Sequence, residues 1–318
     1  MLTLDRVSKS YRIGLLGGTE LRAVQDVSFD IAPGEVVSLI GESGSGKTTI
    51  GRMILRLLTV NGGSIKVDDV DIAGLSGAGL RDYYRRVQGV FQDPFSSCNP
   101  MHKVDHLLST IRTVYFGQLG EAAWREKEAA SLRAVNLEPG QVLHKYPHQL
   151  SGGQVQRLLI ARALLLDTRY LVADEIISML DASTRIDVLN LLGDLKDRGL
   201  GILFITHDLS LGNYISDRTV ILRRGRVVEM GATPRVFGNP LHPYTRMLLE
   251  SVPQLHAKWG VARPGGAAGG GAAERCVYHE LHPRAAGAGG DGGGLPLLAA
   301  VEPDHAVACA RLDEECGC

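Results

Sequence analysis

The sequence predicts an α/β fold: a mostly parallel sheet with helices on both faces. Three observations predict it. Short apolar runs at residues 36–40, 170–173 and 201–206 alternate with segments of helical spacing, the pattern of strands buried on both sides. A glycine-rich G-x-x-x-x-G-K-T signature joins the first of these runs to a helix. Hydrophobic residues make up 44% of the 318 residues and charged ones 22%, which suits one large core-forming domain with a smaller appendage.

The elements follow in order. Leu2-Thr3-Leu4 and residues 23–29 alternate like edge strands, with residues 14–18 as an insertion loop between them. Residues 36–40 form a buried strand that runs into the glycine-rich loop. Residues 49–58 then have helical spacing through Ile50, Met53, Ile54, Leu57 and Leu58, and Asn61-Gly62-Gly63 stops them before a short strand at 64–67. From about 94 to 150 the pattern turns mostly helical, clearest at 124–135, and reads as a helical insertion. A strand at 170–173, a helix at 184–196 and a strand at 201–206 follow. Residues 218–222 and 226–229, joined at Arg224-Gly225, read as a hairpin. Beyond Gln254 the composition shifts, and residues 260–294 are dominated by Gly and Ala. Such a segment buries little apolar area against a high ordering entropy, so irregular or flexible chain is expected there. No internal repeat is visible, which predicts one such α/β unit rather than two.

Each part of the loop Gly41-Glu42-Ser43-Gly44-Ser45-Gly46-Lys47-Thr48, continued by Thr49, has a mechanical task. The glycines let backbone N–H groups turn inward around phosphates. Lys47 supplies a point charge for the β- and γ-phosphates, and Thr48 offers a hydroxyl to Mg²⁺. The chain is therefore expected to bind a nucleoside triphosphate, which leaves kinases, GTPases, helicases and transport ATPases open. The net charge of −1 supplies no global basic field for nucleic acid. The first residues lack the basic-then-apolar pattern of a signal peptide, and no apolar run reaches about 18 residues. Any work at a membrane is expected from its cytoplasmic side, through partners.

Further motifs appear downstream in a fixed order. Leu150-Ser151-Gly152-Gly153-Gln154 opens a helix. There Ser151 can cap the helix while the two glycines bare the backbone at its positive end, which makes an anion site. An apolar strand ends in Asp174-Glu175, carboxylates suited to holding Mg²⁺ and to polarising a water. Gln92 follows a strand in Val90-Phe91-Gln92-Asp93-Pro94, His207 follows another in Thr206-His207-Asp208, and Ser178-Met179-Leu180-Asp181 precedes a helix. A lone Gln or His at a strand end is ordinarily structural; the order and company of these motifs argue otherwise.

Together these motifs resemble the ABC ATPases over residues 1 to about 235. The resemblance implies a P-loop NTPase core with an antiparallel β subdomain, a helical subdomain at about 94–150, and a C-terminal extension at 236–318. It implies that Ser151, Gly152, Gly153 and Gln154 face the γ-phosphate held by a second ATPase subunit, identical or homologous. It also implies that Gln92 is the Q-loop glutamine reaching Mg²⁺ and water, that Asp174 holds Mg²⁺, and that Glu175 is the general base. His207 is then the switch histidine, Asp181 lies in the D-loop at the dimer interface, and Tyr11 stacks on adenine.

Residues 87–100 and Asn239-Pro240-Leu241-His242-Pro243-Tyr244-Thr245 resemble the dipeptide/oligopeptide importer branch. That resemblance implies a peripheral ATPase at the cytoplasmic face of the inner membrane, powering peptide uptake with two transmembrane permease subunits and an external solute-binding protein, and no nucleic acid. Importers of nickel, glutathione or another small solute, and a soluble ABC ATPase without a transport role, are the alternatives. His242 and Tyr244 read as a turn before an amphipathic helix. Two departures stand out. Ile176-Ile177 replaces the branch's usual Pro-containing turn, which predicts a looser D-loop, and Cys98 replaces a usual Leu, as a small buried apolar group. Four of the five cysteines, Cys276, Cys309, Cys316 and Cys318, lie in the tail. They partly match a cysteine group of the branch, leaving open an iron–sulfur cluster, a Zn²⁺ site or free thiols.

Overall fold

The computed structural model describes residues 1–13, 18–251 and 298–308. The chain opens with an antiparallel pair, β1 (Leu2–Ile13) and β2 (Thr19–Ile31). β3 (Val36–Ile40), buried at every position, leaves this sheet and leads into α1 (Lys47–Ile54). β4 (Gly62–Val67) and β5 (Val70–Asp71) return to it, giving a four-stranded order β2-β1-β4-β5.

α2 (Gly77–Arg86) and β6 (Val87–Val90) precede the helices α3 (Val104–Tyr115), α4 (Glu121–Arg133), α5 (Pro139–Val142) and α6 (Gly152–Leu164). The chain then alternates: β7 (Tyr170–Asp174), α7 (Ala182–Asp197), β8 (Gly201–Thr206), α8 (Leu209–Ile215), β9 (Arg218–Arg223) and β10 (Arg226–Ala232). Two helices, α9 (Thr233–Gly238) and α10 (Pro243–Glu250), and a hairpin, β11 (Ala299–Glu302) and β12 (His305–Val307), complete the described chain. The second sheet has the order β11-β12-β10-β9-β3-β8-β7-β6. Strands β6, β7, β8, β3 and β9 are parallel, and the β10 side is antiparallel.

The core follows the two-residue period of the strands. On β8, Ile202 and Phe204 face one apolar cluster, which includes Leu158 of α6, Leu192 of α7 and, from the helical segment, Trp124 and Leu132. Leu203 and Ile205 face the other, with Ile50 and Met53 of α1 and Leu4, Val27 and Phe29 of the first sheet. Cys98 lies in the first cluster as a small apolar group, and burial pushes its thiol pKa up. The parallel sheet is thus sandwiched, as its unbroken apolar strands require.

The structure departs from expectation in three places. The α1 helix ends at Ile54, short of Leu58: Arg56 adopts φ +54° and its guanidinium donates to the carbonyls of Ala73 and Leu75. The turn at Ile176-Ile177 is not loose, since both side chains are buried and Ser178 donates through its N–H and Oγ to the Glu175 carbonyl. Part of the C-terminal extension is regular: β12 pairs with β10 through Glu229↔Val307 and Gly231↔His305. Residues 14–17 and 260–294, and Cys276, Cys309, Cys316 and Cys318, lie outside the described residues.

Candidate functional site

Parallel pairing brings the chemistry-bearing loops to one edge of the sheet. Ile40 stands opposite Thr206, Asp174 opposite Ile205, and Val90 opposite Ala173. The loops leaving the C-terminal ends of β3, β7, β8 and β6 therefore converge, carrying Gly41–Thr48, Asp174-Glu175, His207 and Gln92. This edge is where open α/β sheets place ligands.

The glycine-rich loop is tightly constrained. A Cβ on Gly41 would meet the Leu222 carbonyl oxygen at 2.1 Å, so no side chain fits there. Gly44 and Gly46 sit at φ +81° and +105°, in the left-handed region that glycine tolerates. Lys47 is buried and its ammonium donates to the carbonyls of Gly41 (2.6 Å) and Glu42 (2.8 Å). Desolvation holds its pKa below the usual lysine value, opposed by the charges of Glu175, Asp174 and Glu42. The N-terminus of α1 carries no side-chain cap, and the buried Ser45 hydroxyl has no hydrogen-bond partner among the described residues. A buried cation, an orphaned hydroxyl and free N–H groups at a helix start suit an oligophosphate.

Facing the loop is an acidic wall. Thr48 Oγ1 donates to Asp174 Oδ1 at 3.3 Å. Asp174 is buried, and desolvation raises its pKa, with the Glu175 charge adding to the effect and the Thr48 hydrogen bond opposing it. A hydroxyl beside a carboxylate is an all-oxygen donor set, which fits a hard divalent cation. Glu175 follows at φ +50°, a conformation that costs a non-glycine residue roughly 1–3 kcal/mol. Its N–H donates to the Ile205 carbonyl at 2.9 Å, which holds the residue there. His207 Nδ1 lies 3.2 Å from Glu175 Oε1, and both side chains reach solvent. The cluster can bind a polyanion, hold a cation and polarise a water.

Other expected residues stand apart. Ser151 and Gln154 form a reciprocal capping box: Ser151 Oγ accepts from Gln154 N at 3.3 Å, and Gln154 Oε1 from Ser151 N at 3.0 Å. A Cβ on Gly153 would meet the Thr184 methyl at 2.4 Å, so this glycine permits close packing of α6 against α7. Asp181 caps α7 through Thr184 N (3.0 Å), Thr184 Oγ1 and Ser183 Oγ, bonds that pull its pKa well below the usual carboxylate range. Among the described residues no hydrogen bond joins Ser151, Gly152, Gly153, Gln154 or Asp181 to residues 41–49. Tyr11 of β1 pairs with Leu21 of β2, with the Lys9 ammonium 5.6 Å from the Tyr11 ring centroid, and Gln92, Glu42 and Ser43 are exposed while Thr49 is half-buried.

Sequence reasoning missed one residue at the loop. Tyr244 is buried, and its hydroxyl accepts the Glu42 N–H at 3.2 Å. The His-Pro-Tyr motif was visible, but nothing local indicates a partner 202 positions away.

A family model described as "ABC transporter" matches residues 24–178, and one described as "Oligopeptide/dipeptide transporter, C-terminal region" matches residues 228–283. A putative peptide import ATP-binding protein of Brucella ovis is 41% identical over 317 residues, covering 98% of both chains. The glutathione import ATP-binding protein GsiA of Salmonella typhi is 44% identical over 236 residues, covering 74% of this chain and 37% of that one. Among solved structures, a dimeric post-hydrolysis state of the ATP-binding cassette MJ0796 bound to ADP and Pi superimposes with TM-score 0.65 at 28% identity, covering 73% of this chain and 99% of that one. The structure of cbiO1 from Clostridium perfringens, part of the ABC transporter complex cbiONQ, gives TM-score 0.65 at 26% identity, covering 75% of this chain and 90% of that one.

Proposed function

The chain belongs to the ATP-binding proteins of ABC transporters, in the oligopeptide/dipeptide branch, and on that premise we propose that it hydrolyses ATP to drive uptake of di- or oligopeptides through partner permeases. The observation that carries the reading is the cluster of Lys47, Thr48, Asp174, Glu175 and His207 at one sheet edge. The similarity to peptide import proteins along nearly the whole chain supports the cargo class.

In this reading the N–H groups of the loop from Gly41 to Thr49, with Ser45 Oγ and Lys47, bind the phosphates, and Tyr11 stacks on adenine. Thr48, Asp174 and Gln92 would hold Mg²⁺, which neutralises charge on the phosphates when bound. Glu175 takes a proton from the attacking water as oxygen bonds to the γ-phosphorus and the bond to the β-phosphate oxygen breaks. His207 holds the Glu175 carboxylate in place. Ser151, Gly152, Gly153 and Gln154, preformed but apart from the loop, would close on the ATP of a second ATPase chain, identical or homologous. Asp181 would lie along the same interface. The dimeric cassette holding ADP and Pi supports this arrangement.

Residues 1–235 would form the nucleotide-binding unit, whose helices at about 94–150 receive two permease subunits; 236–318 form the extension. No helix among the described residues is long and apolar enough to cross a membrane. By the family it belongs to, the chain would act as a peripheral subunit on the cytoplasmic face, with an external solute-binding protein delivering cargo. The similarity to a glutathione import protein makes glutathione the second candidate cargo. Affinity purification of the tagged full chain from native membrane in mild detergent tests the reading. Two co-purifying permease subunits are expected, and recovery of none would overturn the transport role.

A further inference from the structure

The antiparallel edge of the main sheet is joined to the phosphate loop by a chain of buried and half-buried polar contacts. It starts at Glu229 on β10, which is fully buried. Its carboxylate accepts three N–H groups: Leu241 N (2.9 Å), His242 N (3.0 Å) and His305 Nε2 (2.8 Å). His305 belongs to β12, so the C-terminal hairpin and the His-Pro-Tyr turn are held by one carboxylate. A buried carboxylate satisfied by three donors fixes the direction of each.

The turn passes that position on. His242 Nδ1 accepts the N–H of Tyr244 at 3.0 Å, capping α10, and Pro243 at the first helical position presets the backbone angle. The Tyr244 ring is thereby delivered into a small apolar cluster with Ile40, Ile221, Val228 and Leu248, under the Arg223 guanidinium at 4.8 Å from its centroid. Its hydroxyl emerges at the loop and accepts the Glu42 N–H.

That N–H and the Gly41 carbonyl belong to a single peptide unit. The unit is planar, so fixing its N–H fixes the direction of its C=O. The Gly41 carbonyl is the one that accepts the Lys47 ammonium at 2.6 Å. One rigid plane therefore separates the Tyr244 hydroxyl from the cation assigned to the phosphates.

We infer that Tyr244 is a positioning residue for the Gly41–Glu42 peptide and Lys47, and that the C-terminal hairpin sets its position through Glu229. The tail thus acts on ATP affinity, from outside the nucleotide site. This rests on the reading of Lys47 as the phosphate-binding cation.

The test uses the full chain with Mg-ATP, following the dissociation constant of a fluorescent ATP analogue, steady-state turnover and thermal unfolding. Tyr244→Phe keeps the ring and its Arg223 contact but removes the hydroxyl. It is expected to raise the dissociation constant and KM about 3- to 10-fold, the span of one net hydrogen bond. Turnover should stay within about twofold, the pattern of lost uniform binding, and Tm should be unchanged. His305→Ala should weaken binding similarly, His305→Gln, which keeps an N–H donor, should restore it, and the Tyr244→Phe/His305→Ala pair should show no further loss. Wild-type affinity in Tyr244→Phe would reduce Tyr244 to a packing residue and overturn the inference. Additive losses in the pair would overturn the link to the hairpin. Lys47→Ala serves as the separate control: if it binds the analogue as the wild type does, the reading of the loop fails, whatever Tyr244 does.

Discussion

Two carboxylates on the same sheet are handled in opposite ways. Glu175, beyond the C-terminal end of β7, keeps 22% of its side chain exposed and meets the half-open His207. Glu229, on the antiparallel edge, is fully buried and receives three N–H donors. A carboxylate that must accept a proton needs a lone pair facing solvent or substrate and a partner that can shift. One that fixes backbone needs every lone pair occupied. On the proposed reading, one end of the sheet is built for chemistry and the other for placement. Glu175 even sits in a left-handed backbone conformation, strain that the site tolerates and the edge strand does not share.

The largest expected effect separates the two. Glu175→Gln should lower ATP turnover by about 10²- to 10⁴-fold, the range for a lost general base, while ATP binding persists. Its unfolding free energy should change by no more than about 1 kcal/mol, since the swap keeps the shape of a partly exposed side chain. Phosphate release and urea unfolding on the same preparation check both. Undiminished hydrolysis would show that another group positions the water. Next in size, Glu229→Ala should do the reverse at first instance. Removing the carboxylate leaves His305 Nε2 and two backbone N–H groups buried without their acceptor, at a cost of about 3 kcal/mol or more. Urea unfolding should show that loss. A stability unchanged by Glu229→Ala would end the distinction drawn between the two edges.

The placement of the loop-bearing end of the sheet was legible in the sequence because its signals are local. Gly41 to Thr48, Asp174-Glu175 and His207 each lie within a few residues of a strand end, and parallel pairing brings them to one edge. The capping box at Ser151 was readable for the same reason. The placement edge was not legible. Glu229 and His305 are 76 positions apart, and β11 and β12 have only four and three residues, too short for an alternating pattern to register. Tyr244 read as a turn residue because its partner Glu42 belongs to a loop at the other end of the chain. Ile176-Ile177 misled in a different way: losing a proline suggested slack, whereas burying two isoleucines supplies the restraint through packing.

A third carboxylate sharpens the comparison and carries the smallest expected effect. Glu128 on α4 is nearly as buried as Glu229, at 8% exposure, but no N–H donor to its carboxylate is present among the described residues. Burial pushes its pKa above the ordinary glutamate value of 4.5, and the charges of Asp105 and Glu121 add to this while Arg125 and Arg112 oppose it. The folded chain then holds this proton more tightly than the unfolded chain does. The resulting stabilisation is fully present below pH 4.5 and is lost as pH rises through the folded-state value. Glu128→Gln cannot lose it. Relative to the wild type, the variant should therefore gain stability as pH rises from 4.5 towards 7 and hold a modest advantage at neutral pH, read from urea midpoints across that range. A variant less stable than the wild type at pH 7 would mean that Arg125 and Arg112 outweigh burial. Glu128 would then belong with Glu229, as a carboxylate whose partners have fully compensated its removal from water.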